Sequence, residues 1–234
     1  PSMHYRRVPE NEYAMMELAR WLGLDVPEVQ LIDMQAIANL PEATGKLDEQ
    51  QALAVRRFDR SADGTAVHIE DFAQVFGRFP EDKYRSASYR NIAYVLGVET
   101  GEADIIEFVR RLIFNTLIGN ADMHLKNWSL IYPDGRTPAL APGYDFVSTI
   151  AYIQDDTAAL KYGRTRRMPQ LTMEELRYLA SKAQLPEALV TRTAKQTVEA
   201  FRDLWPQAQT DLPIDRQMVQ AIDAHLDQLP IVQS

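Results

Sequence analysis

The chain has 234 residues, 46% of them hydrophobic, with 25 basic against 33 acidic residues for a net charge of −8, and no cysteine. That length supports a substantial core in one large domain or a domain with a smaller appendage, while the lack of cysteine excludes disulfides and thiolate metal sites and fits a reducing cytoplasm. No apolar run is long enough to cross a bilayer, and the interspersed acidic excess argues against a surface that grips a nucleic-acid backbone.

In chain order, Asn11 is expected to cap a helix whose Met15, Leu18, Ala19 and Leu22 share one face, with Gly23 as its stop and Glu12 in its first turn. Val29 to Met34 and Leu53 to Phe58 read as strands, separated by an irregular loop from Gln35 to Gln51. Asp63-Gly64 turns the chain into a third short strand, Ala66 to Ile69, and a helical region starts at Asp71 and reaches Phe76. Asn91 to Leu96 reads as one helix and Ile105 to Ile118 as a long central one, buried along Ile105, Val109, Leu112, Ile113 and Thr116. Trp128, Leu130 and Tyr132 alternate up to a Pro133-Asp134-Gly135 turn, so a hairpin should return the chain through Leu140-Ala141 toward Asp145. Thr172-Met173-Glu174-Glu175 has the pattern of a capping box for a helix to about Ala183. Further helices are expected from Pro186 to Leu204 and from Asp215 to Leu229. The fold class is therefore mainly α with a small antiparallel β portion (α+β).

Between the central helix and the hairpin lies a polar loop, Gly119-Asn120-Ala121-Asp122-Met123-His124-Leu125-Lys126-Asn127, followed after the hairpin by Tyr144-Asp145-Phe146. Phosphoryl transfer needs a carboxylate beside the attacking hydroxyl and oxygen ligands that hold magnesium against nucleotide phosphates. Protein kinases use a loop Asp, an Asn five residues later and a second Asp beyond a hairpin. Asp122, Asn127 and Asp145 have those types and spacings. Each residue also has a plainer reading: Asp122 as a cap or turn residue, His124 as a structural histidine, Lys126 as a solvated cation, Tyr144 as a core aromatic. A metal-dependent phosphohydrolase could instead use Asp122, His124 and Asp145 as ligands, but His4, His68 and His225, the remaining histidines, stand in unrelated contexts.

The polar loop together with Leu140-Ala141-Pro142-Gly143-Tyr144-Asp145 resembles the HipA family of bacterial serine/threonine kinases, the toxins of toxin–antitoxin modules linked to persistence. Pro9-Glu10-Asn11-Glu12-Tyr13, Arg57-Phe58-Asp59-Arg60, His68-Ile69-Glu70-Asp71-Phe72, Lys83-Tyr84 and Ala159-Leu160-Lys161-Tyr162-Gly163 agree with that family in order. The resemblance implies the C-terminal lobe of a kinase-like fold, with residues 1–70 at the junction with an N-terminal lobe and 71–234 as the helical lobe carrying the catalytic loop.

It further implies ATP and magnesium as cofactors. Asp122 would accept the substrate's proton and Lys126 would neutralise transferred charge. Asn127 and Asp145 would hold the metal. His124 would lie beside the nucleotide, Tyr144 beneath the adenine, and Arg56, Arg57 and Phe58 along the adenine pocket. Glu12 is the candidate to pair with a strand lysine, its plainer reading being a first-turn acid favoured by the helix dipole. The family's Gly-rich segment and that lysine would precede this stretch, so the chain is expected to be inactive alone. Arg56 stands where a glutamate is usual and Ile69 where a glutamine is, departures that keep a pseudokinase or antitoxin-binding module as the alternative. Implied partners are a protein substrate such as an aminoacyl-tRNA synthetase and a DNA-binding HipB-like antitoxin, with no membrane and no direct nucleic-acid contact.

Overall fold

The computed structural model describes residues 5–38, 50–77, 87–153 and 155–233. Lys83-Tyr84, most of the loop expected between the first two strands, and His4 fall outside them. The described residues are mainly helical with two small antiparallel sheets.

Helix α1 (Val8–Trp21) starts earlier than the sequence suggests, because Pro9 occupies the first turn, where a missing N–H costs no hydrogen bond. Asn11 is therefore not a cap. It lies inside the helix, fully buried, and its amide clasps a distant backbone: Nδ2 donates to the Ser148 carbonyl (2.9 Å) and Oδ1 accepts from the Ser148 N–H (3.0 Å). The apolar face of α1 packs on a hairpin of β1 (Val29–Asp33) and β2 (Gln51–Val55), with Val29 opposite Val55 and Asp33 opposite Gln51. The second strand stops at Val55, short of the expected end, so Arg56, Arg57 and Phe58 belong to the segment leaving the sheet.

The third strand, β3 (His68–Asp71), forms two residues later than expected and joins a separate sheet, antiparallel to β4 (Ser129–Tyr132), which pairs in turn with β5 (Ala139–Leu140). Strand β3 thus ties the first third of the chain to the hairpin after the polar loop. At its end Asp71 and Gln74 exchange side-chain and backbone hydrogen bonds to cap the short helix α2 (Phe72–Val75).

Helices α3 (Tyr89–Glu99) and α4 (Glu102–Leu117) follow. From Phe108 to Leu117 almost every residue of α4 is buried, as a helix enclosed on all sides requires, and with Ile105 all five residues predicted for its stripe are buried. Arg111, also buried, is paired with Glu107 (2.7 Å) and donates to the Ala141 carbonyl (2.6 Å), so its charge is met where it would otherwise be costly.

The remaining helices are α5 (Met173–Lys182), α6 (Glu187–Asp211) and α7 (Arg216–Leu226). Helix α6 packs along α4 and α5. It runs past Leu204 and through Pro206, since Trp205 and Ala208 are buried on the same face and Trp205 stacks on Phe201 at 5.7 Å. That burial offsets a proline cost of about 3 kcal/mol. The expected capping box at Thr172 is half formed. Its hydroxyl accepts from the Glu175 N–H, but the buried Glu175 carboxylate turns away and accepts from the N–H groups of Gly163 (3.0 Å) and Arg164 (2.6 Å) and from the Arg164 guanidinium. Among the described residues no helix is long and apolar enough to cross a membrane.

Candidate functional site

Helix α4 ends because Gly119 takes a left-handed turn (φ 66°), and a Cβ there would lie 2.7 Å from Ile150. Buried amides then carry the chain forward. Asn115 Nδ2 donates to the Arg111 carbonyl, Asn120 Nδ2 donates to Asn115 Oδ1 (2.8 Å), and Asn120 Oδ1 accepts from the Asp122 N–H (3.0 Å). From the other side Thr149 Oγ1 accepts from the Ala121 N–H (2.8 Å) and donates to the Gly119 carbonyl (3.0 Å). Loop residues 119–122 are thus clamped between the end of α4 and the segment beyond Asp145. Asn115, Ser148 and Thr149 were not singled out from the sequence, and Asn11 was read there as a helix cap; nothing in the residues around them marks these side chains as partners of the loop.

The sequence-predicted metal pair meets directly. Asn127 ends a short 3-10 turn, Leu125–Asn127, and its Nδ2 donates to Asp145 Oδ2 across 18 residues of chain. Asn127 Oδ1 is buried without a hydrogen-bond partner, which is uncommon for a buried polar oxygen. Asp145 has φ 60°, a region that Asp tolerates better than most residues and that recurs at functional sites. The next residue, Phe146, is buried and packs on Phe114 at 5.4 Å.

Asp145 lines a cleft of about 490 Å³ with Glu12, Arg56, Phe58, Ile69 and Tyr144. Phe58 and Tyr144 stack at 5.6 Å and 26°. The Tyr144 hydroxyl donates to the Lys126 carbonyl (2.7 Å), which leaves Ser129 Oγ as donor to the tyrosine oxygen (2.6 Å). Burial pushes the Tyr144 phenol up to about 12, so it stays protonated. Glu12 sits inside the helix, and burial together with the nearby Asp145 carboxylate raises it to about 7. The exposed Arg56 is turned toward Glu28 (3.0 Å), and Arg57 toward Asp59. Those two guanidiniums form the rim of the cleft; the rings supply its apolar faces.

The remaining predicted residues are placed differently. His124 is buried at the start of the 3-10 turn, its carbonyl accepting from the Asn127 N–H. Lys126 is exposed, with no acid in ion-pair range among the described residues. Asp122 is exposed too, but lines a neighbouring cavity with Val147, Thr149 and Tyr152 rather than the Asp145 cleft. The segment from Asp145 to Thr149 contributes to both linings, Asp145 to the cleft and Val147 and Thr149 to the cavity. Among the described residues no group of three or more His, Cys, Asp or Glu side chains is arranged to hold a metal.

The family model for the HipA-like C-terminal domain matches residues 1–205. "Putative kinase Y4dM" of Sinorhizobium fredii is 58% identical over 226 residues, covering 96% of this chain and 55% of that protein. The serine/threonine-protein kinase toxin HipA of Shewanella oneidensis is 28% identical over 172 residues, 63% of this chain and 36% of that protein. Among solved structures, the complex of Shewanella oneidensis HipA with HipB and operator DNA matches with a TM-score of 0.76 at 21% identity, covering 98% of this chain and 55% of that one, a likeness of fold. The chain spans about half the length of Y4dM and of that structure. A family match over most of the residues, joined to close identity with a kinase-named relative, means that this chain belongs to the HipA-like C-terminal domains, a kinase-like family.

Proposed function

We propose that this chain is the C-terminal lobe of a serine/threonine protein kinase that uses ATP and magnesium. The observation that carries the reading is the Asn127–Asp145 contact, with Asn127 Oδ1 buried and unpartnered beside it. An amide oxygen and a carboxylate are hard donors suited to magnesium, so these two residues would hold the ion. When bound, it would neutralise charge on the nucleotide phosphates.

Asp122 accepts the proton of the acceptor hydroxyl and orients it. Its backbone position is set by Asn120, so the carboxylate meets its substrate without reorganising the loop. Lys126 offsets phosphate charge as a flexible point cation. His124 braces the turn that delivers Asn127. The adenine lies against the stacked Phe58–Tyr144 pair, above Tyr144, with the main chain of Arg56 and Phe58 available to its polar edge and Arg57 on the rim. Glu12 faces the cleft from α1, where a lysine from a preceding lobe would complete a kinase ion pair. That lobe, carrying the phosphate-covering segment, belongs to the half of the longer relatives that this chain does not span. By analogy with the HipA–HipB complex, an antitoxin of HipB type is the proposed protein partner, and a cytoplasmic protein such as an aminoacyl-tRNA synthetase the substrate.

The test is phosphate transfer from labelled ATP by the full-length protein. Asp122→Asn and Asp145→Asn should each lower the rate by about a hundredfold or more, the scale of a lost general base. Full transfer in both variants overturns the reading.

A further inference from the structure

Two residues beyond Asp145 the chain lines a second hollow. Val8, Ala121, Val147, Tyr152, Ile153 and Ala159 surround a cavity of about 740 Å³, and Asp122 stands on its edge. Tyr5 closes one end, its ring edge-on to Tyr152 at 5.7 Å. Apart from Asp122, most polar side chains around the hollow are tied to neighbours: Asp155, an exposed acid on its lining, accepts from the N–H of Thr157, which also lines it (2.9 Å). Thr149 is held by the 119–121 loop, and Arg166 donates to the carbonyls of Ala158 and Ala159. What faces inward is therefore largely hydrocarbon. Its rim leaves large apolar side chains in water, with Tyr5 40% and Ile153 50% exposed. Apolar surface left open beside a reactive carboxylate marks an interaction site.

A hydroxyl activated by Asp122 must come within hydrogen-bond reach of it. The polypeptide bearing that hydroxyl then has to run across this hollow, and the side chain next to the serine falls into it. We propose that the cavity selects acceptor serines flanked by a large apolar residue, with Val147, Tyr152 and Ile153 as the specificity-determining contacts. This rests on the kinase reading above and names the substrate class for that site. Burying a leucine in place of an alanine supplies roughly a ten- to hundredfold preference in kcat/KM.

The experiment uses the full-length protein, labelled ATP and a library of peptides with one central serine, each flanking position carrying in turn Leu, Phe, Ala, Lys or Asp. One flanking position should favour Leu or Phe over Ala by about tenfold or more, and Ile153→Asp should bring that ratio close to one. Equal rates across the library, or no transfer to any peptide, overturn the proposal. The kinase reading is judged separately, by whether ATP-dependent labelling of any protein is lost in Asp122→Asn. A third arm identifies the occupant. Maleimide labelling of Ile153→Cys should be fast in the free protein and slowed by the preferred peptide. Labelling already blocked without peptide means that another part of the protein covers the cavity, and that too overturns the proposal.

Discussion

Replacing Asn11 by Asp separates two accounts of one residue. At a helix N-cap the two are nearly interchangeable, and the change would move stability by a few tenths of a kcal/mol. In the clasp they are opposites. The Asn11 amide must donate to the Ser148 carbonyl at 2.9 Å while its oxygen accepts from the Ser148 N–H, all in a fully buried position. Aspartate keeps the acceptor, loses the donor and points an oxygen at a carbonyl. Leaving a buried carbonyl unpaired costs about 1–3 kcal/mol, and burying the carboxylate or protonating it adds to that, for a total of roughly 3–5 kcal/mol. For a chain of 234 residues this corresponds to a fall in Tm of about 10 °C. Thermal unfolding followed by circular dichroism reads it. The same perturbation loosens the backbone between Asp145 and Thr149, so phosphate transfer should fall with it. An Asn11→Asp protein that melts within a degree of the parent refutes the clasp as a stabilising element.

Two further outcomes follow from the same region. Glu12 is raised from 4.5 to about 7 by burial and by Asp145, so between those values only the folded state keeps the proton. Stability then declines as pH rises through that window, by at most about 3 kcal/mol. Glu12→Gln should therefore match the parent near pH 4.5 and exceed it at pH 8 in urea titrations run with EDTA. An equal difference at both pH values would remove the proton from the explanation. Gly119→Ala meets both a positive φ and the Ile150 side chain at 2.7 Å, so a loss of about 2 kcal/mol or more is expected. A denaturation midpoint unchanged by that substitution would mean that the α4 terminus can shift freely, contrary to the clamp described for residues 119–122.

By itself the sequence determined what local chemistry and periodicity can determine. The central helix was legible because ten of its residues are buried and mostly apolar. The hairpin was legible because its strands alternate around a Pro-Asp-Gly turn. The trio Asp122, Asn127 and Asp145 was visible because polar groups concentrated after an apolar run need a reason, and their types and spacing match a known chemistry. Helix ends were less legible. The long α6 passes its proline because Trp205 is buried against Phe201 and bonds Asp223, a tertiary effect that propensity does not contain.

Only the folded chain decided which polar side chains hold the site together and which cavity each acid faces. Asn11 and Ser148 are 137 residues apart, and nothing in a window around either one tells a cap from a clasp, because the same amide serves both. Asp145 lies with the stacked Phe58–Tyr144 pair, while Asp122 lies with Ala121, Val147 and Tyr152. Spacing along a polymer limits which residues can meet; the direction in which each side chain points is set by packing against partners that lie far away in the sequence.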